Sequence, residues 1–96
     1  MIKHTVTFAL LADISSNDKL SFLEATYNLK KISGIEELEI LRTFELVENQ
    51  TYFMSIKFAD KEALHHYMVD PLHLSFIEEH WKKFVSEFTS LNFEDF

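Results

Sequence analysis

The residues with the clearest chemical potential lie in the stretch YMVDPLH, from Tyr67 to His73, which contains the only proline of the chain. Proline has a fixed φ and no N–H, so Pro71 suits the first position of a helix. The residue before a proline is displaced from helical geometry, which favours Asp70 as the N-cap. On one unbroken helix Tyr67 and His73 would point to different sides. We therefore predict a corner here that turns both side chains toward one space.

His73 is then the third residue of the new helix, where the positive end of the helix dipole disfavours an imidazolium. This effect lowers the histidine pKa from its usual value of about 6.5, whereas the nearby Asp70 carboxylate acts in the opposite direction. A neutral imidazole in an apolar pocket can serve as a general base or as a hydrogen-bond partner. A buried histidine is also often only a packed, hydrogen-bonded core residue, so a purely structural role stays open.

The other histidines near this stretch do not have the spacing of a metal site. His73 and His80 share a helical face but lie about 10 Å apart along the axis, whereas ligand bonds to zinc are about 2 Å long. His65 and His66 are adjacent, so they point to different sides of their helix. The chain has no cysteine, which excludes disulfides and thiolate chemistry. We expect neither a metal nor another cofactor.

Composition narrows the classes of partner. The 96 residues predict one domain spanning 1–96, and the formal charge of −7 disfavours phosphate-rich partners such as nucleic acid and anionic membranes. No apolar run approaches the roughly 20 residues that cross a bilayer. The first residues, MIKHTVTFALLA, lack a clear small-x-small cleavage site, so we expect no signal peptide and a cytoplasmic protein.

Alternation of apolar and polar residues predicts three strands before residue 60. Their apolar faces are Ile2, His4, Val6, Phe8 and Leu10 in the first strand, Leu38, Ile40, Arg42, Phe44 and Leu46 in the second, and Tyr52, Met54, Ile56 and Phe58 in the third. Residues 48–50 are expected to turn the chain, so that the second and third strands form a hairpin. A helix between the first two strands is predicted to begin at Ser15 or Ser16 and to end near Gly34, which suits the left-handed C′ position.

Two helical segments are predicted around Pro71. Asp60 caps a short helix that carries Leu64, Tyr67 and Met68. After Pro71 comes the longest helix, with one apolar stripe at spacings of three and four. The stripe consists of His73, Phe76, Ile77, His80, Trp81, Phe84 and Phe88. The tail, with Leu91, Phe93 and Asp95, is predicted to form a short last strand.

The order strand, helix, strand, strand, broken helix, strand predicts an α+β, ferredoxin-like fold, in which a four-stranded antiparallel sheet carries its helices on one face. The opposite face of the sheet is mixed, and it includes Leu41 and Phe53. Both are poorly placed in open water, so we expect two copies to pack their sheets face to face as a dimeric α+β barrel. An open-faced monomer with a few exposed apolar residues is the alternative.

Several short motifs resemble the stress-responsive A/B barrel (Dabb) family. The chain opens with IKHTVTF, similar to the family's His-x-Val-x-Phe-like start, and KISGI resembles its Ile-Pro-Gly-Val, with Ser33 replacing the proline. The stretch after the third strand resembles Tyr-x-x-His-Pro-x-His-x-x-Phe. The matching residues there are Tyr67, Pro71, His73 and Phe76, whereas Asp70 stands where the family often has its first histidine. The resemblance covers essentially the whole chain.

The resemblance implies a homodimer, and it suggests a small apolar or carbonyl-containing ligand. Some family members are cofactor-free polyketide cyclases that close a ring by aldol chemistry, and their working groups correspond by position to His4, Tyr67 and His73. In that interpretation His73 removes a proton α to a carbonyl, while Tyr67 and His4 hold the enolate oxygen or orient the base. The lining of the pocket would be Val6, Phe8, Phe76, Ile77 and Trp81.

The family's fold is more uniform than its function, so three functions remain open. The first is a structural or small-molecule-binding module. The second is the cyclase-type enzyme with His73 as general base. The third is a cofactor-independent monooxygenase, since relatives in the same superfamily perform that chemistry.

Overall fold

In the computed structural model, which describes residues 1–45 and 51–96, four antiparallel strands form one sheet in the order β2-β3-β1-β4. The strands are β1 (Ile2–Leu10), β2 (Ile35–Arg42), β3 (Tyr52–Phe58) and β4 (Val85–Glu94). Strand β1 lies in the interior of the sheet, between β3 and β4. The predicted α+β arrangement of the ferredoxin-like type is confirmed.

The helices connect the strands in the predicted order. They are α1 (Ser16–Asn28), which continues into a 3₁₀ turn (Leu29–Lys31), α2 (Lys61–Val69), α3 (Pro71–Phe76), a π-helical turn (Ile77–Trp81) and α4 (Lys82–Phe84). None of the helices in the described ranges is long and apolar enough to cross a membrane.

The helix starts follow from capping side chains. The Ser15 hydroxyl accepts from the Asp18 N–H at 3.0 Å, and the Asp60 carboxylate accepts from the Ala63 N–H at 2.9 Å. Each side chain satisfies a backbone donor that the first helical turn leaves without an intrahelical partner. The predicted caps of α1 and α2 are therefore confirmed.

The core lies between the sheet and the helices. The apolar faces predicted for β1 and β3 supply much of it, and α1, α2 and α3 cover these faces from one side. The largest fully buried side chains are Tyr67, Phe8, Phe58, Leu29, Ile56 and Thr26. Coverage is uneven, because every residue of 86–94 in the edge strand β4 is exposed. The β1–β4 side of the sheet is thus open where the β1–β3 side is packed.

The helical stripe predicted after Pro71 extends too far. Phe88 lies in β4 rather than in the helix, and β4 begins at Val85 and runs for 10 residues instead of forming a short tail. The spacing from Phe84 to Phe88 fits one helical turn, but it also fits two steps of a strand's two-residue period. The β-branched Val85 favours the strand. Phe88 still meets the stripe, since its ring centroid lies 5.5 Å from that of Trp81.

Two strand ends also differ from the prediction. Strand β2 ends at Arg42, so Phe44 lies beyond it with its side chain exposed. Leu46 and the turn predicted at 48–50 lie outside the described residues. At the other end of the chain, β4 stops at Glu94, and the carboxylate of Asp95 accepts from the N-terminal amine at 2.8 Å.

Gly34 permits the turn from the 3₁₀ helix into β2. Its φ is +97°, a region that L side chains rarely adopt. A Cβ at this position would also stand 3.3 Å from the Cβ of Ala63 in α2. The glycine therefore permits both the backbone turn and the close approach of α2. The sequence predicts the first of these roles but not the second.

The variant Gly34→Ala is expected to lower the free energy of unfolding by about 1–2 kcal/mol, the cost of a left-handed conformation for an L residue. Thermal unfolding measures this, because about 1 kcal/mol shifts Tm by roughly 4–8 °C in a domain of this size. The exposed neighbour Ser33 provides the control, and Ser33→Ala should leave Tm nearly unchanged. Equal Tm values for the two variants would show that the turn tolerates a side chain.

Candidate functional site

The structure brings His4, Tyr67 and His73 together, although they come from three different elements. His4 lies on β1, Tyr67 on α2 and His73 on α3. The ring centroids are 6.0 Å apart for His4 and Tyr67, and 4.3 Å apart for Tyr67 and His73. All three side chains are buried, with Tyr67 only 1% exposed.

The predicted corner at Asp70 and Pro71 accounts for the contact between Tyr67 and His73. Asp70 has an extended backbone, with ψ of 134°, and its carboxylate accepts from the Leu72 N–H at 2.9 Å. Its own N–H donates to the carbonyl of Tyr67 at 3.2 Å, which closes α2. Pro71 then begins α3. One residue therefore ends one helix and caps the next.

Hydrogen bonds determine which nitrogen of each imidazole carries the proton. His4 Nδ1 lies 2.6 Å from Asn92 Oδ1, and His73 Nδ1 lies 3.2 Å from the Met68 carbonyl oxygen. Both partner oxygens only accept, so in the neutral rings each Nδ1 is the donor. The Nε2 atoms are left with their lone pairs, which suits them to accept a hydrogen bond or a proton from a ligand.

Burial sets the charge state of the pair Tyr67 and His73. Burial lowers the pKa of His73, and the nearby His4 adds to this effect. The Met68 carbonyl and the Asp70 carboxylate act in the opposite direction without reversing it. Burial also raises the pKa of the Tyr67 hydroxyl, which therefore stays protonated well above neutral pH. At pH 7 the site combines a neutral imidazole with a phenol donor.

These three residues line a cleft of about 440 Å³, here called the first cleft. It opens between the helical segment 71–84 and the β1–β4 side of the sheet. Its lining is mainly apolar and consists of His4, Val6, Met54, Tyr67, Met68, His73, Phe76, Ile77, Trp81, Lys82, Phe88 and Ser90. Four of the predicted lining residues, Val6, Phe76, Ile77 and Trp81, line this cleft.

Phe8 is the predicted lining residue that the structure does not bring to the first cleft. It lies under Trp81, with ring centroids 5.1 Å apart, and lines a separate cleft of about 420 Å³ between α1 and the β2–β3 side of the sheet. We call this the second cleft. The strand pattern placed Phe8 on the correct face of β1, but the aromatic rings above that face divide the space into two.

The π-helical turn shapes the wall of the first cleft. In it the Lys82 N–H donates to the carbonyl of Ile77, five residues back. Such turns occur as single insertions in helices, frequently at functional sites. Ile77 and Trp81, the ends of this turn, both face the first cleft.

Sequence reasoning missed several residues of the site. The most informative is Asn92, which lies opposite His4 in the β1–β4 register and fixes its tautomer. A correct start for β4 would have revealed this pairing, because the register then places Phe88 opposite Phe8 and Asn92 opposite His4. His65 and His66 are exposed on α2, away from the site, as the sequence indicates.

A pH dependence of stability follows from the buried imidazole. Because burial lowers the folded-state pKa of His73 below about 6.5, its value in an unfolded chain, the unfolded chain binds this proton more readily. The stabilising contribution is complete above that pH and is lost as the pH falls through the folded-state pKa. Tm measured from about pH 7.5 to pH 5 should therefore fall more steeply in the wild type than in His73→Asn.

The asparagine amide can still donate to the Met68 carbonyl but does not titrate in this range. His66→Asn is the matched control, because it removes an exposed histidine and should follow the wild-type slope. Identical slopes for His73→Asn and the wild type would contradict the assignment of a depressed pKa to His73.

Comparisons with known proteins agree with this fold. The sequence matches the family described as Stress Responsive A/B Barrel Domain (Dabb) over residues 2–95. Among curated proteins, no sequence matches the chain.

Three solved structures illustrate the likeness. A Dabb-family protein with a ferredoxin-like fold from Mesorhizobium loti is 29% identical, with a TM-score of 0.87 over 99% of this chain and 96% of that one. A dimeric protein of unknown function from Bacteroides fragilis is 24% identical, with a TM-score of 0.78 over 98% and 95% of the two chains. A hydroxynitrile lyase from Passiflora edulis is 16% identical, with a TM-score of 0.86 over 99% and 95%. The family match across nearly the whole sequence means that this chain belongs to the Dabb family.

Proposed function

We propose that this protein binds a small carbonyl compound with an apolar body in the first cleft. The observation that carries the proposal is the convergence of two imidazoles and a phenol on a mainly apolar space of about 440 Å³. Small-molecule sites typically have volumes of about 300–1,000 Å³, with a few polar groups in an apolar lining. A packed core with a structural histidine pair would leave no such space.

Tyr67 is the group suited to the carbonyl oxygen. Its hydroxyl stays protonated near neutral pH, so it can donate to an acceptor. The Nδ1 atoms of His4 and His73 already have partners in Asn92 and Met68, so neither Nδ1 is available to a carbonyl oxygen. A carbonyl oxygen beside Tyr67 would accept from this hydroxyl, and the apolar walls would bury the rest of the ligand.

A pair of probes of similar shape tests this binding mode. Acetophenone should bind about 3–10-fold more tightly than ethylbenzene, the range expected for one hydrogen bond in a buried site. In Tyr67→Phe, which keeps the ring and removes the donor, this preference should disappear. Chemical-shift titration of the labelled protein gives both dissociation constants.

Tyr27→Phe is the control for the binding test, because Tyr27 is an exposed tyrosine of the second cleft and should leave the preference intact. Equal affinity of the wild type for the two probes would contradict the proposed role of Tyr67.

Proton abstraction from the bound carbonyl compound is the second candidate function, and the charge state of His73 favours it. In a neutral His73 whose Nδ1 donates to Met68, Nε2 can take a proton from the carbon next to a carbonyl. The electron pair of the broken C–H bond forms an enolate, whose oxygen accepts from Tyr67. A hydroxynitrile lyase shares this fold, whereas the aldol-type cyclase role and the monooxygenase alternative stay predictions.

Deuterium exchange measures this proton transfer without requiring the natural substrate. The wild type in D₂O should speed exchange of the acetophenone methyl protons, and His73→Asn should lose about 10²–10⁴-fold of the catalysed rate. The exposed His66→Asn is the matched control and should keep the full rate. Exchange by His73→Asn at the wild-type rate would remove His73 as the base while leaving ligand binding open.

A homodimer is part of the same proposal. The sheet face opposite the helices exposes Leu41 (51%), Leu91 (58%) and Phe93 (53%), and a second copy packed against this face would remove them from water. The register places Leu91 opposite Thr5 and Phe93 opposite Lys3 in the β1–β4 pair, so both share the face of these β1 residues. Similar proteins described as dimeric support this arrangement.

Light scattering at micromolar concentration tests the dimer. The wild type should have twice the mass of one chain, and Leu91→Lys should shift it toward the monomer because a charge would be buried at the interface. Leu74→Lys provides a matched control, since Leu74 is a similarly exposed leucine (51%) on α3. A monomeric wild type, or equal effects of the two lysines, would contradict a sheet-to-sheet dimer.

A further inference from the structure

The second cleft is a space that the proposed function does not use. It measures about 420 Å³ and is bounded by α1 on one side and by β2 and β3 on the other. Its walls are mostly apolar, with Phe8 and Phe22 at the inner end and Ile40 and Tyr52 from the sheet. The space therefore offers an apolar body the same kind of environment as the first cleft, but without the imidazoles.

Several apolar side chains around the second cleft remain exposed. Leu20 is 55% exposed, Tyr27 42% and Leu23 39%, and all three line it. Moving apolar surface out of water is favourable. An apolar chain lying among these residues would therefore gain from covering them, on the side of the molecule where α1 meets the sheet.

The charges of the second cleft are opposite in sign to the net charge of the protein. Lys19 from α1 and Arg42 at the end of β2 both line it, and no acidic residue among the described ones does. The ion pairs recorded in the described ranges involve the N-terminal amine, Lys61 and Lys82, not these two cations. In a chain with 16 acids and 9 bases, a cleft to which the described residues contribute two cations and no acid favours an anionic ligand.

We infer that the second cleft is a binding site for a small amphiphilic anion, of the class of an aliphatic monocarboxylate. The alkyl chain of this ligand lies against Phe8, Phe22 and the exposed leucines. Its carboxylate lies at the rim with Arg42 and Lys19. Arginine binds a carboxylate through two parallel N–H donors, which gives the head group a defined place. The apolar walls favour an alkyl chain for the rest of the ligand.

Octanoate and 1-octanol are suitable probes, because they share a chain and differ in charge. Titration followed by backbone amide shifts should show octanoate binding about 3–10-fold more tightly than octanol at low salt, as expected for a partly exposed charge-assisted contact. Added salt should reduce this preference. The shifted amides should belong to α1 and β2 rather than to residues 67–81.

Variants separate the two clefts. Arg42→Gln and Lys19→Gln should each reduce the preference for octanoate, whereas Lys82→Gln, at the first cleft, should leave it unchanged. No binding, equal binding of the two probes, or loss of preference only in Lys82→Gln would overturn the inference. Dissociation of a dimer by octanoate would also overturn it, because a second copy would then occupy this surface. None of these results bears on carbonyl binding in the first cleft.

Discussion

At Asp70 the chain passes from α2 to α3 within one residue, and the geometry of the first cleft depends on this turn. Pro71 has no N–H and prevents a continuous helix, while the Asp70 carboxylate caps the new one. The turn brings Tyr67 and His73 to a ring-centroid distance of 4.3 Å, which one straight helix would not allow. It also leaves the Met68 carbonyl within reach of His73 Nδ1. Orientation and tautomer of the imidazole thus have one common cause.

The sheet beneath this corner is covered unequally, and that inequality creates two clefts instead of one core. The helical segment after Pro71 reaches over β1 but leaves β4 exposed, so the first cleft is open on that side. Trp81 separates it from the second cleft. Its ring centroid lies 5.1 Å from that of Phe8 and 6.2 Å from that of Phe22, which line the second cleft, and 6.2 Å from that of Phe76, which lines the first. The two spaces therefore differ in chemistry although only this layer of aromatic rings lies between them.

Local sequence patterns are sufficient to predict much of this structure. Features that depend on near neighbours in the chain can be predicted from the sequence directly. They are the alternation in β1 and β3, the caps at Ser15, Asp60 and Asp70, and the positive φ of Gly34. The start of β4 was wrong because the spacing of Phe84 and Phe88 satisfies a helix and a strand equally.

Features that depend on packing between residues distant in the chain could not be predicted from the sequence. Whether His4 and His73 face a cavity or a filled core is decided by the separation of helices and sheet, which no motif encodes. The partner of His4, Asn92, follows only from the β1–β4 register. The position of Trp81 over Phe8, which lies in the second cleft, depends on how the helices pack on the sheet, and no local pattern encodes that packing.

The central claim is that His73 is a neutral imidazole whose Nε2 lone pair meets the ligand in the first cleft. Nitrogen-15 NMR of histidine-labelled protein at pH 7 tests it most directly, because protonated and unprotonated ring nitrogens resonate far apart. For His73 the account predicts a protonated Nδ1, an unprotonated Nε2, and a shift of the Nε2 resonance when acetophenone is added. An imidazolium at pH 7, the opposite tautomer, or an Nε2 resonance that does not shift when acetophenone binds would contradict it.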